Sequence, residues 1–187
     1  MINSGDTGGI DFVNTAVAST TRTAWLWLSA ASAGTWRTSD GGVTWKKVET
    51  NEHIAGSTQA EVFRSPPYTS GVVYMAGQYS HLGSGVLVSQ DFGLTWTHVG
   101  QNEPESTVMA TSRNVYAAYG WGAGPGMTVA PGLEVAPIPG TGSWSSPGTP
   151  TAMTQGPGQA AGTTDGTYNI VFFGNYNAGL WRYVEPD

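Results

Sequence analysis

Two stretches of this chain are nearly the same, and that likeness constrains the fold more than any other feature. Gly34-Thr-Trp-Arg-Thr-Ser-Asp-Gly-Gly-Val-Thr-Trp45 and Gly85-Val-Leu-Val-Ser-Gln-Asp-Phe-Gly-Leu-Thr-Trp96 share the pattern Ser/Thr-x-Asp-x-Gly-x-Thr-Trp, 51 residues apart. Weaker echoes extend the repeat. Val115-Tyr-Ala-Ala-Tyr119 follows Val73-Tyr-Met-Ala-Gly77, and Ala178-Gly-Leu-Trp-Arg182 follows Ala33-Gly-Thr-Trp-Arg37. Trp144, in Thr141-Gly-Ser-Trp-Ser145, reads as a worn third copy without its Asp. A period of roughly 40–50 residues is that of a small four-stranded unit, repeated.

Composition agrees with many short strands. Only 11% of the 187 residues are charged, whereas Gly is 27, Trp 8 and Tyr 8. Helical faces would want Ala, Leu, Glu and Lys instead. Strands are predicted at 11–19, 24–30, 34–39 and 44–48 in the first unit. The second holds 60–64, 71–78, 85–89 and 95–99. The third holds 106–111, 114–119, 126–130 and a strand near Trp144, and the last holds 159–163, 168–174 and 179–184. The units run approximately over 1–50, 51–101, 102–150 and 151–187. The stretch 121–159, rich in Gly and Pro, reads as long loops between weak strands.

The repeated residues have a local job. Asp40 and Asp91 can accept bonds from backbone N–H groups of their own turn. Gly42 and Gly93 can take positive φ, and Trp45 and Trp96 can pack between neighbouring units. With Thr38, Thr44, Ser89 and Thr95 they make a turn-closing device rather than a catalytic one. The eight-residue pattern resembles the Asp-box, or BNR repeat, of sialidases, xyloglucanase-like glycoside hydrolases and sortilin-type receptors. That resemblance implies an all-β fold: a β-propeller of four-stranded antiparallel blades, with the box as the turn between third and fourth strands. The tail Gly174-Asn-Tyr-Asn-Ala-Gly-Leu-Trp-Arg-Tyr-Val-Glu-Pro186 is similar to the closing blade of BNR-repeat proteins related to exo-sialidases.

Sialidase-like propellers have six blades and xyloglucanase-like ones seven, whereas just under four are counted here. An open arc leaves sheet faces and edges uncovered. The chain is then a partial or half propeller. It is a piece of a longer one, half of a ring completed by a second copy, or a compact four-blade ring. The last blade lacks a fourth strand, which favours the first two.

Candidate sites follow from the resemblance and from strand order. Ser4-Gly-Asp-Thr-Gly-Gly-Ile10 resembles the Gly-Asp-x-Gly-Gly-aromatic stretch of xyloglucanase-like hydrolases. Asp6 falls on one of their two catalytic aspartates, although Ile10 replaces the aromatic residue. Glycoside hydrolysis needs a carboxylate pair, and the partner Asp lies in a further domain of such enzymes. The bland alternative is that Asp6 caps a turn. The sialidase Phe/Tyr-Arg-Ile-Pro motif is absent, and no arginine triad can be assigned. Glu52, Glu61, Glu103, Glu105 and Glu134 read as solvated loop acids. Tyr79, Trp121 and Tyr176 follow second strands at similar places in their units. They can stack on sugar rings, with Gln78, Asn175 and Asn177 bonding hydroxyls and His81 nearby.

His53, His81 and His98 show no metal spacing, so no metal and no cofactor are expected. The seven basic residues are scattered and the net charge is −6, which speaks against nucleic acid. No run of roughly 18 apolar residues suits a membrane span. Cysteine is absent, and no signal peptide is visible; the family resemblance implies an extracellular protein. Two functions remain open: a propeller module that binds glycan or a protein partner, leaning non-catalytic by itself, and a glycoside hydrolase or part of one.

Overall fold

The computed structural model describes residues 13–17, 26–30, 34–40, 43–49, 61–64, 72–76, 85–91, 93–100, 105–120, 131–154, 156–157, 159–174 and 179–187. Among them there is no helix. Fourteen strands form four antiparallel sheets, each a meander in chain order. Sheet 1 is β1 (Val13–Val17), β2 (Leu26–Ala30), β3 (Gly34–Thr38) and β4 (Lys46–Glu49). Sheet 2 is β5 (Glu61–Arg64), β6 (Val73–Ala76), β7 (Val86–Ser89) and β8 (Thr97–Val99). Sheet 3 is β9 (Glu105–Ala110), β10 (Asn114–Tyr119) and β11 (Gly132–Pro137). Sheet 4 is β12 (Gln159–Thr164), β13 (Tyr168–Gly174) and β14 (Leu180–Pro186).

Two expectations for sheet 3 are corrected. Its third strand is Gly132–Pro137, not 126–130, which lies outside the described residues. Pro131 and Pro137 bracket that strand and disguise it as loop. Both sit at its margins, where a missing N–H costs no ladder bond. The fourth strand near Trp144 is reduced to a single bridge, Ser145 to Val135. Its place is still that of a fourth strand. In sheets 1, 2 and 3 the residue after the Trp is the first to pair: Lys46 with Arg37, Thr97 with Val88, Ser145 with Val135. Trp144 therefore holds the position of Trp45 and Trp96, but its turn has no Asp and its strand no further partner.

Consecutive sheets approach most closely at their first strands. β1 lies against β5, β5 against β9, and β9 against β12, with β5 and β9 also reaching the second strand of the sheet before. β12 makes no comparable approach to β1, so among the described residues the series stays open. Four small sheets fanned from their first strands are consistent with part of a propeller.

The core lies between the sheets because side chains alternate across a strand. Tyr74, Val86 and Val88 of sheet 2 meet Val108, Val115, Ala117 and Ala136 of sheet 3. The other face of sheet 3, with Met109, Tyr116, Ala118 and Leu133, meets Val171 and Phe173 of sheet 4, and Trp181 and Tyr183 pack at its margin. Each fully buried aliphatic or aromatic side chain contributes roughly 1.5–3 kcal/mol. Trp96 packs on Met75 and Leu87, the face of sheet 2 turned away from sheet 3. The solvated-acid expectation fails for Glu134. It lies in β11 with 1% exposure, and an added Cβ at Gly100 would stand 3.0 Å from its Oε1. Glu61 and Glu105 are strand residues as well, in β5 and β9.

Candidate functional site

The two repeated turns are closed in the same way. In sheet 1 the Asp40 carboxylate accepts from Thr38 Oγ1 at 2.7 Å, Thr44 N at 2.9 Å and Thr44 Oγ1 at 2.5 Å. In sheet 2 Asp91 accepts from Ser89 Oγ at 2.8 Å, Leu94 N at 3.0 Å, Thr95 N at 2.9 Å and Thr95 Oγ1 at 2.6 Å. Ser89 Oγ also accepts from Gly93 N at 2.7 Å, and Gly93 has φ +76°, where a Cβ would be strained. The bonds from Thr44, then from Thr38, hold Asp40 down to about 2. At Asp91 burial pushes upward, but the bonds from Thr95, Ser89 and Leu94 outweigh it and leave the carboxyl at about 2. Carboxylates so bound stay ionised and are poor proton donors at neutral pH. Both turns sit between the third and fourth strands of their sheets and serve the fold. Gly42 lies outside the described residues.

A second carboxylate ties sheet 4 to sheet 3. Glu185 of β14 is buried and accepts from Thr111 Oγ1, from Asn114 Nδ2 at 2.5 Å, from Tyr116 OH at 2.5 Å and from Asn169 Nδ2 at 3.3 Å. Burial, and then the bond to Glu185, push the Tyr116 phenol well above its ordinary range. Four donors fill the roughly four lone-pair positions of a carboxylate, so Glu185 is a cross-link rather than a base facing a cleft. Reasoning from the sequence overlooked it. The signal was present: in Trp181-Arg-Tyr-Val-Glu185 every second residue shares a face, which puts Glu185 beside Trp181 and Tyr183.

Next to this tie lies a cleft of about 360 Å³ between the two sheets, lined by Met109, Thr111, Ser112, Gly162, Asn169 and Asp187 among others. Its polar groups are largely engaged with one another. Ser112 Oγ donates to Asp187 Oδ1 at 2.5 Å, Asn169 Nδ2 donates to Ser112 Oγ at 2.8 Å, and Arg113 Nη2 donates to the Asp187 carbonyl at 2.9 Å. The cleft can hold a small ligand by shape and a few hydroxyl contacts, and its geometry supplies no acid–base pair. Among the described residues no group of His, Asp and Glu could hold a metal ion.

The other candidates lie elsewhere. Asp6, Tyr79, His81, Trp121, Asn175 and Tyr176 fall outside the described residues. What the structure supplies is the frame around three of them. Tyr79, Trp121 and Tyr176 fall in the connections that leave β6, β10 and β13, the second strands of successive sheets.

No protein-family model matches the chain, and no curated protein does. Solved structures do resemble it. A GH74 enzyme of Niastella koreensis superposes with TM-score 0.62 at 19% identity over 91% of this chain. The GH74 xyloglucanase of Xanthomonas campestris gives 0.60 at 20% over 87%, and an ancestral GH74 enzyme 0.65 at 16% over 96%. At such identities the likeness is one of fold. The chain spans 27–28% of the length of those structures.

Proposed function

We propose that the chain is a run of Asp-box blades from a β-propeller, serving as a carbohydrate-associated module that binds a glycan or a partner and does not catalyse by itself. The observation that carries this reading is the pair of turns closed by the same Asp-to-Thr and Asp-to-Ser/Thr bonds, Thr38–Trp45 and Ser89–Trp96. They recur at the same corner of successive sheets whose first strands adjoin. Satisfied turns of this kind make a rigid frame, and binding residues belong on the loops such a frame presents. Tyr79, Trp121 and Tyr176, with His81 and Asn175, are the residues assigned to sugar stacking and hydroxyl bonding. They leave equivalent strands, so a ligand spanning several sugars would meet one aromatic per blade. An extracellular setting suits a glycan ligand, and among the described residues no helix is long and apolar enough to cross a membrane.

The second reading is a glycoside hydrolase, or a part of one, with Asp6 as one member of its carboxylate pair. The fold likeness to GH74 enzymes favours it. The engaged state of Asp40, Asp91 and Glu185 does not, since each is committed to structural bonds. Calorimetric titration with xyloglucan oligosaccharides and with sialosides, beside a reducing-sugar assay, separates the two. The binding reading expects a saturable signal without hydrolysis, lost at least tenfold in Trp121→Ala and Tyr176→Ala. Hydrolysis abolished by Asp6→Ala would replace it with the enzyme reading.

A further inference from the structure

Sheet 3 breaks the repeat at one buried position. The pairing registers align Trp36 of β3, Leu87 of β7 and Glu134 of β11, and the repeat Gly-x-Trp-Arg adds Trp181 of β14. Among the sheets whose packing is described, this place faces the preceding sheet. Leu87 is buried beside Met75 with Trp96 against it, and Trp181 packs at the margin of the core between sheets 3 and 4. Glu134 stands opposite Ala117. Val115, Ala117 and Ala136 on that face pack on Tyr74, Val86 and Val88 of sheet 2. The Glu134 carboxyl group is thus committed to the interface between sheets 2 and 3, with 1% exposure. Taking a carboxyl group out of water is costly, and an apolar side chain of similar volume often holds such a place equally well or better. The other sheets take Trp or Leu here. A residue that departs from that preference indicates work other than packing.

What lies against the carboxyl group indicates that work. A Cβ added at Gly100 would stand 3.0 Å from Glu134 Oε1 and 3.7 Å from the Val86 amide nitrogen. Gly100 follows β8 with φ +86°, and Val86 opens β7 opposite Val99. Both are roots of connections: 77–85 joins β6 to β7, and 100–104 joins β8 to β9. A third connection, 120–131, leads into β11 just ahead of Glu134. The half-buried Tyr119 ring lies across the opening of β11, where a Cβ added at Gly132 would collide with it. One carboxyl group therefore sits where three connections are rooted. They carry Tyr79 and His81, then Glu103, then Trp121. A carboxylate offers about four acceptor positions, which no apolar residue supplies. Backbone N–H groups that leave the ladder at strand ends need such acceptors.

We propose that Glu134 is a positioning residue. It anchors the roots of the connections 77–85 and 100–104, and so fixes the residues assigned to the glycan, Tyr79 and His81 above all. The assignment rests on the glycan-binding reading and deepens it by naming what holds the site from below.

Two variants test it. Glu134→Leu gives sheet 3 the residue of sheet 2, and Glu134→Gln keeps the length and one acceptor oxygen. Glu134→Leu should retain the wild-type circular dichroism spectrum and a urea midpoint at or above that of wild type. Amide exchange should nonetheless quicken at least tenfold in 77–85 and 100–104 and stay unchanged in β6, β7 and β10. Calorimetric titration with a xyloglucan oligosaccharide should show binding weakened at least tenfold. Glu134→Gln should stay within about threefold of wild type on both readings. A lower midpoint for Glu134→Leu, with exchange raised throughout sheets 2 and 3, would make Glu134 part of the frame and overturn the proposal. So would a Glu134→Leu chain that exchanges and binds as wild type does. A wild-type chain that binds no oligosaccharide would remove the glycan reading, and the exchange pattern alone would then uphold or overturn the anchoring role.

Discussion

At Asp91 one carboxylate gathers four bonds from three neighbouring residues, and the sign of its pH dependence follows. Its folded pKa of about 2, like that of Asp40, lies below the ordinary 3.8. The ionised form is therefore the one the turn binds. Its stabilisation is fully present above about pH 4 and is lost as pH falls from 3.8 towards 2. Asp91→Ala removes the acceptor from Ser89, Leu94 and Thr95 in a largely exposed turn, where water replaces part of the loss. It should cost roughly 1–2 kcal/mol, read as a lower urea midpoint at neutral pH. The same variant should lose less stability than wild type between pH 4 and 2. Equal losses over that interval would show that Asp91 is not held ionised by the turn.

The sheets were legible in the sequence where each strand carried its own pattern. Gly34–Thr38, Val86–Ser89, Asn114–Tyr119 and Tyr168–Gly174 alternate or run apolar between turn residues, and they are strands as expected. β11 was not legible, because a strand flanked by prolines with a Glu at its centre looks like a solvated loop. Glu134 is buried there because sheet 3 packs on sheet 2, a tertiary contact that local sequence does not show. Glu185 was missed for a related reason. Its value depends on donors from Thr111, Asn114 and Tyr116, some 70 residues earlier, which no local pattern announces. The joint between these elements can be tested. Glu185→Ala leaves buried donors on two sheets without an acceptor and should cost roughly 3 kcal/mol, whereas Tyr116→Phe should cost about 1. Chemical denaturation of both variants checks the order. Equal, small losses would mean that apolar packing alone holds sheet 4.

For the whole molecule, the repeat announced a series of small antiparallel sheets, and sheets 2 and 3 each bury one face on the next. The residues proposed to meet a glycan, Tyr79, Trp121 and Tyr176 among them, lie in connections outside the described residues. The central claim is that the sheets fan out from adjoining first strands. Because the chain has no cysteine, single spin labels can be introduced in pairs at Val43, Leu94 and Gly142, the outer turns of sheets 1, 2 and 3. Pulsed electron–electron resonance distances between them are the direct test. The account predicts that adjacent outer turns stand clearly further apart than the roughly 10 Å at which flat sheets stack. Separations near 10 Å for adjacent pairs and twice that for the outer pair would describe a flat stack and contradict it.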